Sequence, residues 1–149
     1  ERLRRRSGGA AATVFVYDGR SNPVSSDIGD ETDDPPSRVP VRVRHDGGEV
    51  TLHVERGGNL RDALLAADRD ADGDPDLSPY ASATERLNCG GRGLCATCGV
   101  RVQSGPAPSH WHDRLADRFG YPRLSCQVVV TEPMTVELVP DKRVWGGRE

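Results

Sequence analysis

The chain has 149 residues, of which 35% are hydrophobic and 5% aromatic, with 17 glycines and 11 prolines. That length allows one domain, or one domain with an appendage. A net charge of −3 excludes the basic footprint of a general nucleic-acid binder, and no uncharged apolar run is long enough to span a bilayer.

At the start, Arg2, Arg4, Arg5 and Arg6 lead into Ser7-Gly8-Gly9 with no apolar segment behind them. No secretory signal is read there, and a cytoplasmic location is the expectation. Thr13 to Tyr17 reads as a short strand, with Asp18-Gly19 as its turn. Ser21 to Arg38 has the composition of a linker: Asp27, Asp30, Glu31, Asp33 and Asp34 precede Pro35-Pro36. Such a stretch buries too little apolar surface to offset its ordering entropy. Residues 1–38 are therefore expected to form a flexible or loosely structured extension. Residues 39–149 would be the folded domain with a short C-terminal tail.

From Val39 the pattern sharpens. Val39, Val41 and Val43 alternate with polar residues or proline, as do Val50, Leu52 and Val54, with Asp46-Gly47-Gly48 between the two runs. Two period-2 runs across a glycine turn predict a β-hairpin with one buried face. Asn59 is placed to cap a helix carrying Leu60, Ala63, Leu64 and Ala67, which recur at helical spacing. The helix is expected to stop at the acidic insert Asp68 to Asp76. Tyr80 to Leu87 fits either helix or loop. Gly99 to Gln103 reads as a strand, and Trp111 to Phe119 as a short helix with Trp111, Leu115 and Phe119 on one face. Trp111 is expected to anchor that helix in the core. Cys126 to Thr131 and Thr135 to Val139 read as two more strands. The order predicts an α+β fold with mixed or antiparallel pairing.

The chemistry lies in the cysteines. Cys89, Cys95 and Cys98 form C-x5-C-x2-C, and Cys126 follows after 27 residues. Four thiols can hold a cluster or a metal ion, or make two disulfides. Nothing marks export, so disulfides fit poorly. Four-cysteine zinc sites usually come as two short pairs on separate knuckles. Here three cysteines share one loop that also holds Gly90, Gly91 and Gly93. Glycine permits positive φ and close backbone approach. A loop wrapping an iron–sulfur cluster must turn tightly and aim N–H groups at sulfur. The glycines favour the cluster, with a zinc structural or interaction module as the rival from another class.

Cys89 to Cys98, with Arg123-Leu124-Ser125-Cys126-Gln127 downstream, resembles the 2Fe–2S ferredoxin family, plant-type and adrenodoxin-like. The resemblance spans roughly residues 39–141 and implies a β-grasp fold, a mixed sheet packed on one main helix. It implies that Cys89, Cys95, Cys98 and Cys126 are the metal ligands and that Gly90, Gly91 and Gly93 shape the cofactor loop. Cys89 and Cys95 would hold the iron nearer the surface, and Cys98 and Cys126 the inner one. The implied function is one-electron carriage, with no substrate turned over. The partners would be a reductase and an acceptor enzyme, and a monomer is expected. An electron-entry domain of a larger oxidoreductase is the alternative. The loop is one residue longer than the plant-type C-x4-C-x2-C. Ala96 stands where relatives often have glycine. Leu94 and Ala96 are expected to shield the cluster, and Arg92, Arg86 and Arg101 to make its potential less negative than in acidic relatives.

Three further motifs have plainer readings. Asp68 to Asp76 resembles the start of a calcium loop, but Pro79 falls where the bidentate glutamate belongs. A solvated acidic loop is the expectation. His110-Trp111-His112 is not needed as a ligand set beside four cysteines. Asp113, Asp117 and Glu85 could form a docking patch or an ordinary solvated face.

Overall fold

The computed structural model describes residues 13–15, 37–139 and 144–147. The expected strand residues Val16 and Tyr17, and the linker from Ser21 to Pro36, lie outside the described residues.

The hairpin forms where alternation predicts it. Strands β2 (Arg38–His45) and β3 (Gly48–Glu55) pair antiparallel across the two-residue turn Asp46-Gly47. Val39 faces Val54, Val41 faces Leu52 and Val43 faces Val50, and all six are buried. A one-residue slip would turn this whole row to solvent, so the pattern fixes the register. Ahead of them, β1 (Thr13–Phe15) runs parallel to β3.

Helix α1 (Leu60–Asp70) follows. The Asn59 side chain accepts the Asp62 N–H as its N-cap, and Leu60, Leu64, Ala66 and Ala67 are buried. After the insert and the cysteine loop come β4 (Gly99–Ser104), α2 (Trp111–Arg118), β5 (Arg123–Leu124), a 3-10 turn (Ser125–Gln127) and β6 (Met134–Leu138). The sheet order is β1-β3-β2-β6-β4-β5. β6 is parallel to β2 and antiparallel to β4, so the sheet is mixed. Leu60 and Leu64 join the sheet valines, Leu77, Val128 and Val130 in one core. Among the described residues, that core contains no aromatic side chain. The fold is the β-grasp, a mixed sheet closed over one principal helix.

Three expectations fail here. Cys126 to Thr131 is not a sheet strand: Cys126 sits in the 3-10 turn. The segment after it is extended but bonds to the connection before α1. Leu60 N–H donates to Val128 O, Gly57 N–H to Val130 O, and Val130 N–H to Gly58 O. Helix α2 is the second correction. Trp111, Leu115 and Phe119 do share a face, but that face points outward, and Trp111 is 61% exposed. The one buried residue of α2 is Asp113, at 0% exposure. Its Oδ2 accepts from Arg123 Nε (3.0 Å) and Nη2 (2.6 Å), and its Oδ1 accepts from Leu124 N–H (3.2 Å). Arg123 Nη1 donates to Pro106 O at 2.8 Å. A buried carboxylate needs such partners, and Arg123 and Leu124 of β5 supply them to the inward face of α2. The third correction follows: Asp113 is no part of a docking patch.

The acidic insert turns the chain back after α1. Asp68 Oδ1 accepts the Leu77 N–H and Asp76 Oδ1 the Ser78 N–H, so both carboxylates serve the backbone.

Candidate iron–sulfur site

The site is assembled by three neighbouring pieces of chain. Residues 88–98 form the loop, β5 and its 3-10 turn bring Cys126, and the start of α1 closes one side. None of the four cysteines forms a disulfide. Cys89 and Cys95 are half-buried, whereas Cys98 and Cys126 are buried. The sulfurs fall into two pairs. The Cys89 thiol lies within hydrogen-bonding reach of the Cys95 thiol, and the Cys126 thiol within reach of the Cys98 thiol.

The loop turns its amides toward these sulfurs. Cys89 N–H donates to Cys95 Sγ at 3.4 Å, and Thr97 Oγ1 lies 3.0 Å from the same sulfur. Burial pushes the Cys89 thiol up, but the backbone N–H groups of Leu94, Cys95 and Arg92 and the Cys95 thiol outweigh it. Together they hold it down at about 6. A thiol held this low is stabilised as the thiolate, the form that binds metal. Cys126 is pushed up, first by its hydrogen-bonded partner Cys98, then by burial. The Gln127 side chain and the Gly93 N–H oppose this, and Gln127 Nε2 lies 3.7 Å from the Cys126 sulfur.

All three loop glycines take positive φ: Gly90 at 66°, Gly91 at 90° and Gly93 at 70°. Gly93 has a second constraint, because a Cβ there would lie 2.8 Å from Gln127 Nε2. Ala96 also takes positive φ, at 56°, which accounts for glycine being the more comfortable residue there.

Each residue of Arg123-Leu124-Ser125-Cys126-Gln127 has a separate task. Arg123 pins α2. Leu124 packs with Tyr80, Cys98 and Cys126 in a small apolar cluster, against which Leu65 leans. Ser125 donates both its N–H (3.0 Å) and its hydroxyl (2.8 Å) to Cys98 O, fixing the backbone of that cysteine. Cys126 contributes its sulfur, and Gln127 contacts that sulfur and Gly93.

The apolar cover expected from Leu94 and Ala96 is supplied elsewhere. Leu94 is 74% exposed, and Tyr80, Leu124 and Leu65 pack on the inner sulfurs instead. The exposed indole Nε1–H of Trp145 donates to Cys95 O at 2.7 Å. Arg101 Nη2 donates to Gly147 O at 3.3 Å, so the tail is tied to the sheet beside the loop.

Sequence reasoning missed three contributors. Asn59 caps α1 with one side-chain atom and with the other donates to Cys126 O at 2.9 Å. Its capping signal was visible, but its reach to Cys126 was not. Arg61 and Tyr80 hydrogen-bond to each other through Nε and the phenol oxygen beside the inner pair. Burial raises the Tyr80 hydroxyl's pKa, Arg61 opposes the rise, and Cys98 and Cys126 add to it.

Among the described residues, no three His, Cys, Asp or Glu side chains gather as they would around one ion. The four thiols stand as two pairs of unequal burial, with backbone N–H groups facing the sulfurs of Cys89, Cys95 and Cys126. Residues 83–131 match the family model of the 2Fe–2S iron–sulfur cluster binding domain. The chain thus carries a ferredoxin-type domain, and the cofactor of that domain is a 2Fe–2S cluster. No curated protein matches the chain.

Proposed function

We propose that this protein is a one-electron carrier that shuttles electrons between redox enzymes in the cytoplasm, with Cys89 and Cys95 holding one iron and Cys98 and Cys126 the other. The observation that carries the reading is the pairing of Cys89 with Cys95 and of Cys98 with Cys126 beside a loop whose amides face the sulfurs. When bound, the cluster supplies reversible one-electron chemistry. The residues do the rest. Ser125 and Asn59 fix the carbonyls of the inner cysteines. The loop amides stabilise negative charge on sulfur, a recognised control on potential. The half-buried outer pair leaves one edge of the site near solvent, where a partner's redox centre can approach. Four cysteines without disulfides suit a reducing compartment. No described helix is long and apolar enough to cross a membrane.

Purified protein tests this directly. The expected result is a brown protein with two irons and two sulfides per chain, whose visible absorbance bleaches with dithionite. A colourless protein with one zinc per chain overturns the reading in favour of a structural module. A Cys126→Ser variant that assembles a normal cluster overturns the ligand assignment.

A further inference from the structure

The loop arginine Arg92 is the obvious source of positive charge at the site, but its residue is exposed. Arg61 is different. Its side chain is only 17% exposed, and it reaches from the first turn of α1 across to the cysteine loop. A Cβ on Gly91 would lie 3.5 Å from Arg61 Nη1 and 3.7 Å from its Cζ, so the guanidinium rests against the loop backbone between Cys89 and Cys95. On its other side, Nε donates to the Tyr80 hydroxyl, and the Tyr80 ring packs with Cys98, Leu124 and Cys126. One cation therefore touches the loop of the outer pair and, through one side chain, the packing of the inner pair. Its carboxylate partner, Asp62, is 68% exposed and holds Nη1 at 2.7 Å. Solvent screens an exposed charge far more than a sheltered one, so Asp62 cancels Arg61 only in part.

We propose that Arg61, positioned by Tyr80 and Gly91, is the charge that stabilises the reduced cluster and sets its potential. The proposal rests on the cluster reading above. Reduction adds one electron from a donor redox protein and leaves the site one unit more negative, with no bond in the chain made or broken. A sheltered cation beside the site favours that added charge. The exposed Arg92 contributes less.

Midpoint potentials by redox titration, followed by electron paramagnetic resonance of the reduced cluster, provide the test. Arg61→Gln should disfavour reduction about tenfold, a fall of about 59 mV for one electron. Arg61→Lys should stay close to wild type, because the charge is retained, and Arg92→Gln should shift the potential less than Arg61→Gln does. Asp62→Asn, a change at an exposed site, should raise the potential. An Arg61→Gln protein with an intact cluster spectrum and the wild-type potential overturns the proposal, as does a larger shift in Arg92→Gln. If Arg61→Gln fails to hold a cluster, Asp62→Asn decides: a rise supports Arg61 as the operative charge, and no change overturns it. Wild-type protein lacking a 2Fe–2S spectrum would instead sink the cluster reading itself.

Discussion

Helices α1 and α2 carry comparable apolar rows, yet the sheet holds them in opposite ways. α1 buries Leu60, Leu64, Ala66 and Ala67, exposes Asp62, Arg69 and Asp70, and shelters Arg61. α2 exposes Trp111, Leu115 and Phe119 and buries an aspartate. Periodicity establishes which residues share a helix face. It does not establish which way the face points when a buried ion pair competes. In α2 a two-pronged contact from Arg123, a backbone N–H from Leu124 and a carbonyl from Pro106 satisfy the pair completely. The apolar row is left outside.

The largest expected effect comes from breaking that pair. Asp113→Ala should cost about 3–5 kcal/mol in chemical denaturation, since it strands Arg123 in a buried position. Replacing both partners, as Asp113→Leu with Arg123→Met, should recover most of the loss, because a well-packed apolar pair often matches a buried ionic one. On α1, Leu64→Ala should cost about 2–5 kcal/mol by leaving a cavity in the valine core. The caps should differ next. Asn59→Ala should lose about 1 kcal/mol from capping and should also loosen the carbonyl of Cys126. His110→Ala should lose little, as the His110 side chain makes no capping bond. The smallest effect belongs to the outward row. Leu115→Gln should change stability by no more than about 0.5 kcal/mol, although the same kind of substitution at Leu64 would be severe. A large loss at Leu115 would mean that the row is covered in the folded protein.

The same contrast explains what the sequence made legible. The hairpin, α1 and the cysteine loop are local: alternation, a cap and a spacing specify them within a few residues. The assignment of the four cysteines to two irons rests on the family resemblance. Long-range partners were not legible at all. Asp113 finds Arg123 ten residues away, and Arg61 finds Tyr80 nineteen residues away across the acidic insert. The extended run Val128 to Val130 finds its backbone partners before α1. Local composition encodes none of these, because each depends on how the sheet folds back. Leu94 misled for a related reason. Its position in the loop suggested cover, but the loop turns it outward while Tyr80 arrives from elsewhere.

Gly99 and Leu124 are register partners in the β4–β5 pair. Cys98 lies one residue before the first, and Cys126 two residues after the second. Strand pairing therefore brings the inner cysteines together, and Ser125 holds the Cys98 carbonyl from the 3-10 turn that follows β5. The placing of Cys98 and Cys126 thus depends on strand register, whereas that of Cys89 and Cys95 depends on the positive-φ glycines of the loop.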